Sequence, residues 1–106
     1  MALGTVTEIE RGVMGDLKYV ILDVQPTAGA NYTANGEPVT LANTFGFPNE
    51  LFFASCENRV ENADISEYFV DIANMKLVAI DAATGVEEAG NQNLSAHRIR
   101  IFALGR

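Results

Sequence analysis

At 106 residues, 48% of them apolar and 20% charged, the sequence has the size and balance of one globular domain, which excludes a disordered tract or a fibrous repeat. Seven Lys plus Arg stand against fourteen Asp plus Glu, a formal charge of -7, and Arg11, Lys18, Arg59, Lys76, Arg98, Arg100 and Arg106 are scattered, so no nucleic-acid partner is expected. No run approaches the roughly 20 apolar residues of a membrane span, and the start lacks the basic and apolar regions of a secretion signal. A lone cysteine, Cys56, rules out an intrachain disulfide. The expectation is a protein that acts where it is made, with no membrane partner.

Residues 5–10, TVTEIE, alternate apolar with polar side chains and predict a half-buried first strand, with Val6 and Ile9 on its apolar side and Gly12 as a break. Residues 17–24, LKYVILDV, are β-branched and aromatic and end before Pro26, which cannot continue a ladder. Their near-continuous apolarity predicts a central strand with both faces covered. Residues 51–56, LFFASC, predict another strand that points Phe52 and Phe53 to opposite faces, one toward the core and one toward an interface.

Residues 65–72 have period-two spacing, with Tyr68, Val70 and Ile72 on one side and Glu67, Phe69 and Asp71 on the other. They lead into 76–80 as a hairpin with Asn74 at positive φ in the turn. Thr84-Gly85 marks a further turn, and residues 90–93, GNQN, a polar loop. The last strand, residues 97–104, turns Ile99, Ile101 and Ala103 inward and Arg98, Arg100 and Phe102 outward. No helical periodicity of ten residues or more is present, apart from a weak pattern near residues 57–67 whose Asn and Asp content favours a loop. About six short strands joined by Gly and Asn turns predict an all-β, single-domain fold over residues 1–106, a β-sandwich or jelly-roll-like small barrel with one long inserted loop.

That loop is residues 26–48. Its length exceeds the roughly 12 to 15 residues of ordinary connections, and Tyr32, Val39, Leu41, Phe45 and Phe47 are not the residues of a merely solvated segment. Two expectations stay open together. In one, residues 39–41 form a short edge strand while Phe45 and Phe47 plug one end of the core. In the other, Tyr32, Val39, Leu41, Phe45 and Phe47, with Phe69 and Phe102 outside the loop, face a neighbouring subunit.

Residues that carry chemistry are sparse. His97 is the single histidine, so a nucleophilic dyad reduces to Cys56 with His97, and the local signatures of a catalytic cysteine are missing. Glu8 and Glu10 would share one strand face about 7 Å apart, and Glu87 is followed by Glu88, but such pairs usually just solvate an acidic surface. Residues 58–64, NRVENAD, alternate oxygen ligands without the order of a calcium loop, which leaves calcium open without recommending it. Gly12 and Gly15 precede no phosphate-binding helix. With no Trp, a stacking platform for a sugar would have to come from Tyr19, Tyr32 and Tyr68. The expectation is a protein that is not an enzyme, with no catalytic residue, no metal ligand and no cofactor.

The order of parts resembles small capsid-associated proteins of tailed bacteriophages. The stretches that carry the likeness are GDLKYVILDV at 15–24, NGEPVTLAN at 35–43, YFVDIANMKL at 68–77 and IRIFALGR at 99–106. The resemblance covers most of the chain and is one of layout, since none of these stretches is a catalytic signature. It implies a capsid decoration, or cement, protein: a β-sandwich, commonly a homo-oligomer and often a trimer, that is made in the host cytoplasm. Such a protein binds the outer capsid surface of the virion and strengthens joints between subunits of the major capsid protein, its partner. The alternatives are a small ligand- or carbohydrate-binding β-sandwich and another virion part, a tail or head-completion protein.

Overall fold

The computed structural model describes residues 4–26, 32, 35–59, 66–81, 84–88 and 97–106. Among these residues, seven strands run in chain order: β1 Thr5–Met14, β2 Leu17–Gln25, β3 Glu37–Pro38, β4 Leu51–Asn58, β5 Ser66–Asp71, β6 Lys76–Asp81 and β7 Ile99–Gly105. They form two antiparallel sheets, ordered β1-β2-β7-β4 and β3-β6-β5. The fold is all-β, and the single helical element among the described residues is a π-helical turn at Leu41–Phe45.

Period-two patterning builds the core between the two sheets. Val20, Leu22 and Val24 of β2 point inward beside Ile99, Ile101 and Ala103 of β7, and Tyr68, Val70, Leu77 and Ala79 of β5 and β6 meet them from the second sheet. Each such large aliphatic or aromatic side chain stabilises the fold by roughly 1.5 to 3 kcal/mol through burial. The arrangement is sandwich-like, and among the described residues no ladder joins the two sheets into a closed barrel.

Several sequence expectations need correction. The first strand is not half-buried and does not stop at Gly12: β1 continues to Met14, and Val6 and Ile9 are exposed. It is an edge strand with β2 on one side, and the second sheet, whose own edge strand β3 is two residues long, offers it little cover. Gly12 allows a close approach, because the Tyr19 ring lies across it and a Cβ there would sit 2.5 Å from that ring. A bulge between Glu8 and Glu10 leaves Ile9 without a cross-strand partner. β2 buries one face only, and Tyr19 and Ile21 on the other are half-exposed.

Within residues 26–48, the Asn35-Gly36 turn takes positive φ at both positions (73° and 103°) and delivers β3 to β6. Pro38, which has no N–H, is tolerated because β3 is an edge. The strand therefore lies at 37–38 rather than 39–41, while Val39 donates its N–H to the Met75 carbonyl at 3.0 Å. Thr40 caps the π-helical turn by accepting from the Asn43 N–H at 3.1 Å, and Gly46 closes it at φ 73°. This local winding turns the Phe45 and Phe47 rings inward, stacked 6.3 Å apart and fully buried. Arg11 seals their open side, donating to the Phe45 carbonyl (2.8 Å), pairing with Glu8 (2.8 Å) and lying 6.0 Å from the Phe47 ring centre. In the β5–β6 hairpin the positive φ falls on Met75 (53°). Asn74 instead bonds the Asp71 carboxylate through its backbone N–H and its side-chain amide.

Candidate functional site

Cross-strand register defines the outer face of the four-stranded sheet, the one turned away from the core. Across the ladders lie Gly12, Tyr19, Leu104 and Phe53, then Glu10, Ile21, Phe102 and Ser55, then Thr7, Asp23, Arg100 and Glu57. Directly opposed residues of an antiparallel pair share a face, so Tyr19, Ile21, Phe53, Phe102 and Leu104 form one apolar surface. Tyr19 and Phe102 stack with ring centres 6.2 Å apart. Phe53 is 49% exposed, and Met14 at the end of β1 is 53% exposed. A bulge between Leu51 and Phe53 carries Phe52, also exposed, under the Arg106 guanidinium at 5.4 Å.

One row further along, the same face turns polar. Arg100 holds the Asp23 carboxylate with two bonds of 2.7 and 2.9 Å. These bonds outweigh the desolvation cost that opposes them and, with the lesser attraction of the Arg100 and Arg59 charges, keep Asp23 below its ordinary pKa. Beyond that pair lies a recess of about 430 Å³ lined by Thr5, Thr7, Gln25, Arg59 and Arg98.

On the second sheet, Phe69 (45% exposed) and Val78 floor a groove of about 570 Å³ rimmed by Asn35, Asp71, Asn74, Lys76 and Glu87. Much of this rim is engaged within the protein. Asp71 accepts from Asn74, which holds its carboxyl below the ordinary range, and Glu87 accepts the Tyr32 hydroxyl proton at 2.6 Å.

Among the described residues, groups of catalytic type do not gather in a shared cleft. The Cys56 thiol is pushed up to about 12 by burial, which leaves little thiolate at neutral pH. Cys56 pairs in register with Ile101, about 13 Å of strand rise from His97. His97 is buried, and its Nδ1 shares a short hydrogen bond with the Tyr68 hydroxyl. The bulge at Ile9 separates the two carboxylates of β1: Glu8 lies on the core side opposite Leu22, and Glu10 on the outer side opposite Ile21. Among the described residues no three His, Cys, Asp or Glu side chains are grouped to hold a metal, no helix is long and apolar enough to cross a membrane, and no buried side-chain polar atom lacks a partner. Of the calcium-type stretch, residues 60–64 lie outside the described residues, as does the polar loop at 90–93.

The residues expected at an interface divide sharply. Tyr32, Val39, Phe45 and Phe47 are core, and Leu41 is half-buried against it. Tyr32 also accepts the Ala79 N–H at 3.2 Å, and burial raises its hydroxyl above the ordinary value. Phe69 and Phe102 remain at the surface, on different sheets. Sequence inspection missed Tyr19, Ile21 and Leu104 as surface partners of Phe102, although the same alternation that placed Arg100 and Phe102 outward would have placed Tyr19 and Ile21 beside them.

No protein-family model matches the chain, and neither a curated protein nor a solved structure matches it.

Proposed function

We propose that the chain is a virion structural protein that binds the outer surface of a bacteriophage capsid and stabilises contacts between major capsid subunits, acting as a homo-oligomer, in the first place a trimer, and not as an enzyme. The observation that carries this reading is the apolar outer face of the four-stranded sheet, where Tyr19, Ile21, Phe53, Phe102 and Leu104 are contiguous and partly open to solvent. Contiguous exposed apolar surface marks interaction sites in soluble proteins. Ring side chains fixed on a sheet lose little conformational freedom on docking, so much of the burial energy is kept for affinity. The sequence layout supplies the class of partner. Mixing the purified chain with undecorated tailed-phage shells and sedimenting them tests the reading: the chain pellets with shells, and its remaining in the supernatant at every salt concentration counts against the proposal.

A small ligand- or carbohydrate-binding role has the Phe69 groove in its favour. A ligand bound there raises the melting temperature of the folded chain, so a sugar and metabolite panel that leaves it unmoved removes that reading. Pelleting with isolated tails or head-completion complexes instead of shells would assign the chain to another virion part.

A further inference from the structure

The bulge in β1 gives the free edge of that strand a two-fold pattern. Among the described residues, the β1 backbone is bonded to other backbone only through the β2 ladder. A ten-residue edge of this kind is a template for a further strand. Of the nine large apolar side chains exposed among the described residues, four lie on β1 (Val6, Ile9, Val13 and Met14), so the edge offers apolar contact as well as backbone groups. Register with β2 sorts its side chains by face. Val6, Glu8, Arg11 and Val13 oppose Val24, Leu22, Val20 and Lys18 on the core side, while Thr5, Thr7, Glu10, Gly12 and Met14 lie on the outer side. In a regular strand Val6 and Val13, seven residues apart, would point to opposite faces, and so would Glu8 and Arg11. The extra residue at the bulge brings each of these pairs onto one face.

We propose that β1 pairs antiparallel with β1 of a second copy about a two-fold axis, Thr5 of each chain opposite Met14 of the other. Val6 then meets Val13 and Glu8 meets Arg11 on one face, each contact occurring twice, while Thr7 meets Gly12 on the other. Directly opposed residues of an antiparallel pair share a face, and the bulge is what lets the register that overlaps all ten residues satisfy that condition. A slip of two residues sets Arg11 against Val6 or Glu8 against Val13, so charge complementarity selects the full overlap. The Glu8–Arg11 pair within each chain stays intact, since it uses Arg11 Nε and Nη2 and Glu8 Oε1, and Nη1 and Oε2 are the atoms that face the copy's pair. Such a contact is isologous and continues the four-stranded sheet into its copy, which places the two apolar outer faces side by side. A ten-residue strand is about 33 Å long, and one edge pair falls short of the roughly 1,200 Å² of a stable interface. The contact is therefore weak in dilute solution and joins copies already held close together, as on a common surface. It is separate from the three-fold contact proposed above.

The test mixes equal amounts of a Val6→Cys chain and a Val13→Cys chain, both full length and carrying Cys56→Ala, under mild oxidation. Directly opposed positions suit disulfide geometry, whereas two copies of one variant would hold their thiols about 20 Å apart in this register, so the mixed adduct should exceed either homodimer by about tenfold. A mixed adduct no commoner than random collision yields would overturn the pairing. The unmodified chain provides a second readout. With labelled and unlabelled copies mixed at millimolar concentration, isotope-filtered spectra should show Val6 methyl contacts to Val13 of the other copy, positions too far apart along one strand to touch. The absence of that contact would overturn the proposal as well. Neither of these measurements uses shells or the outer-face rings, so the pairing and the docking reading fail separately. Slowed amide exchange along β1 on shells, without the mixed adduct, would assign the edge to a strand of the shell instead of a second copy.

Discussion

Gly105 sits where β7 passes closest to the segment that closes the core. A Cβ there would lie 2.3 Å from the Glu50 carbonyl oxygen and 2.5 Å from the Phe47 ring, and the backbone contact cannot be relieved by turning a side chain. Gly105→Ala is expected to cost about 1 to 3 kcal/mol through overpacking, read as a lower denaturant midpoint with an unchanged slope. Asp23 gives a prediction in pH. Its carboxyl is held below the ordinary 3.8, first by the hydrogen bonds from Arg100, so the folded chain binds that proton less readily than the unfolded one. The pair's contribution is complete above about pH 5 and is lost as pH falls through the depressed value. The melting temperature of Asp23→Asn should therefore lie below the wild type at neutral pH, with the gap closing in acid; a gap independent of pH would mean the pair is not the cause. Cys56, with its thiol pushed up to about 12, should react with iodoacetamide at neutral pH far more slowly in the folded than in the unfolded chain.

Among the elements, legibility followed the simplicity of the pattern. β7 was readable because Ile99, Ile101 and Ala103 alternate with Arg100 and Phe102 without interruption, and the β5–β6 hairpin was readable for the same reason. β1 misled. Val6 and Ile9 stand three residues apart, a spacing that period-two alternation cannot put on one face, and a bulge resets the register at Ile9 without leaving a mark in composition. Phe52 and Phe53 misled in the same way, since the bulge before Phe53 leaves both exposed. The segment 35–48 could not be settled by pattern because its burial depends on a π-helical turn capped by Thr40 and ended by Gly46, and its period matches neither a strand nor an α-helix. Phe45 and Phe53 separate core from surface experimentally. Phe45→Ala should lose about 3 to 5 kcal/mol of stability, and Phe53→Ala should stay within about 0.5 kcal/mol. A stable Phe45→Ala chain would mean that the segment is not part of the core.

Over the whole molecule, the inward faces of both sheets are spent on one shared core, so the outward faces are the ones open to solvent. The face of β1, β2, β7 and β4 is apolar at its centre and arginine-rich at one end. The face of β3, β6 and β5 carries the exposed Phe69 over a groove whose rim is largely engaged with itself. The candidate site was only partly legible for this reason. Phe102 was placed by its own strand, but its neighbours Tyr19, Ile21 and Phe53 come from two other strands, and only the pairing register puts them on one surface. If that surface mediates self-association, sedimentation velocity should find a trimer that Phe53→Asp converts to a folded monomer; an oligomer unchanged by Phe53→Asp would place the subunit contact elsewhere.

The most direct test of the proposed docking face is hydroxyl-radical footprinting of the chain free and bound to undecorated shells. Tyr19, Phe53 and Phe102 should be protected from oxidation on the shell while Phe69 and Val86 stay as reactive as in solution. Equal oxidation of the three outer-face rings in the bound and free chain, with protection at Phe69 instead, would contradict it.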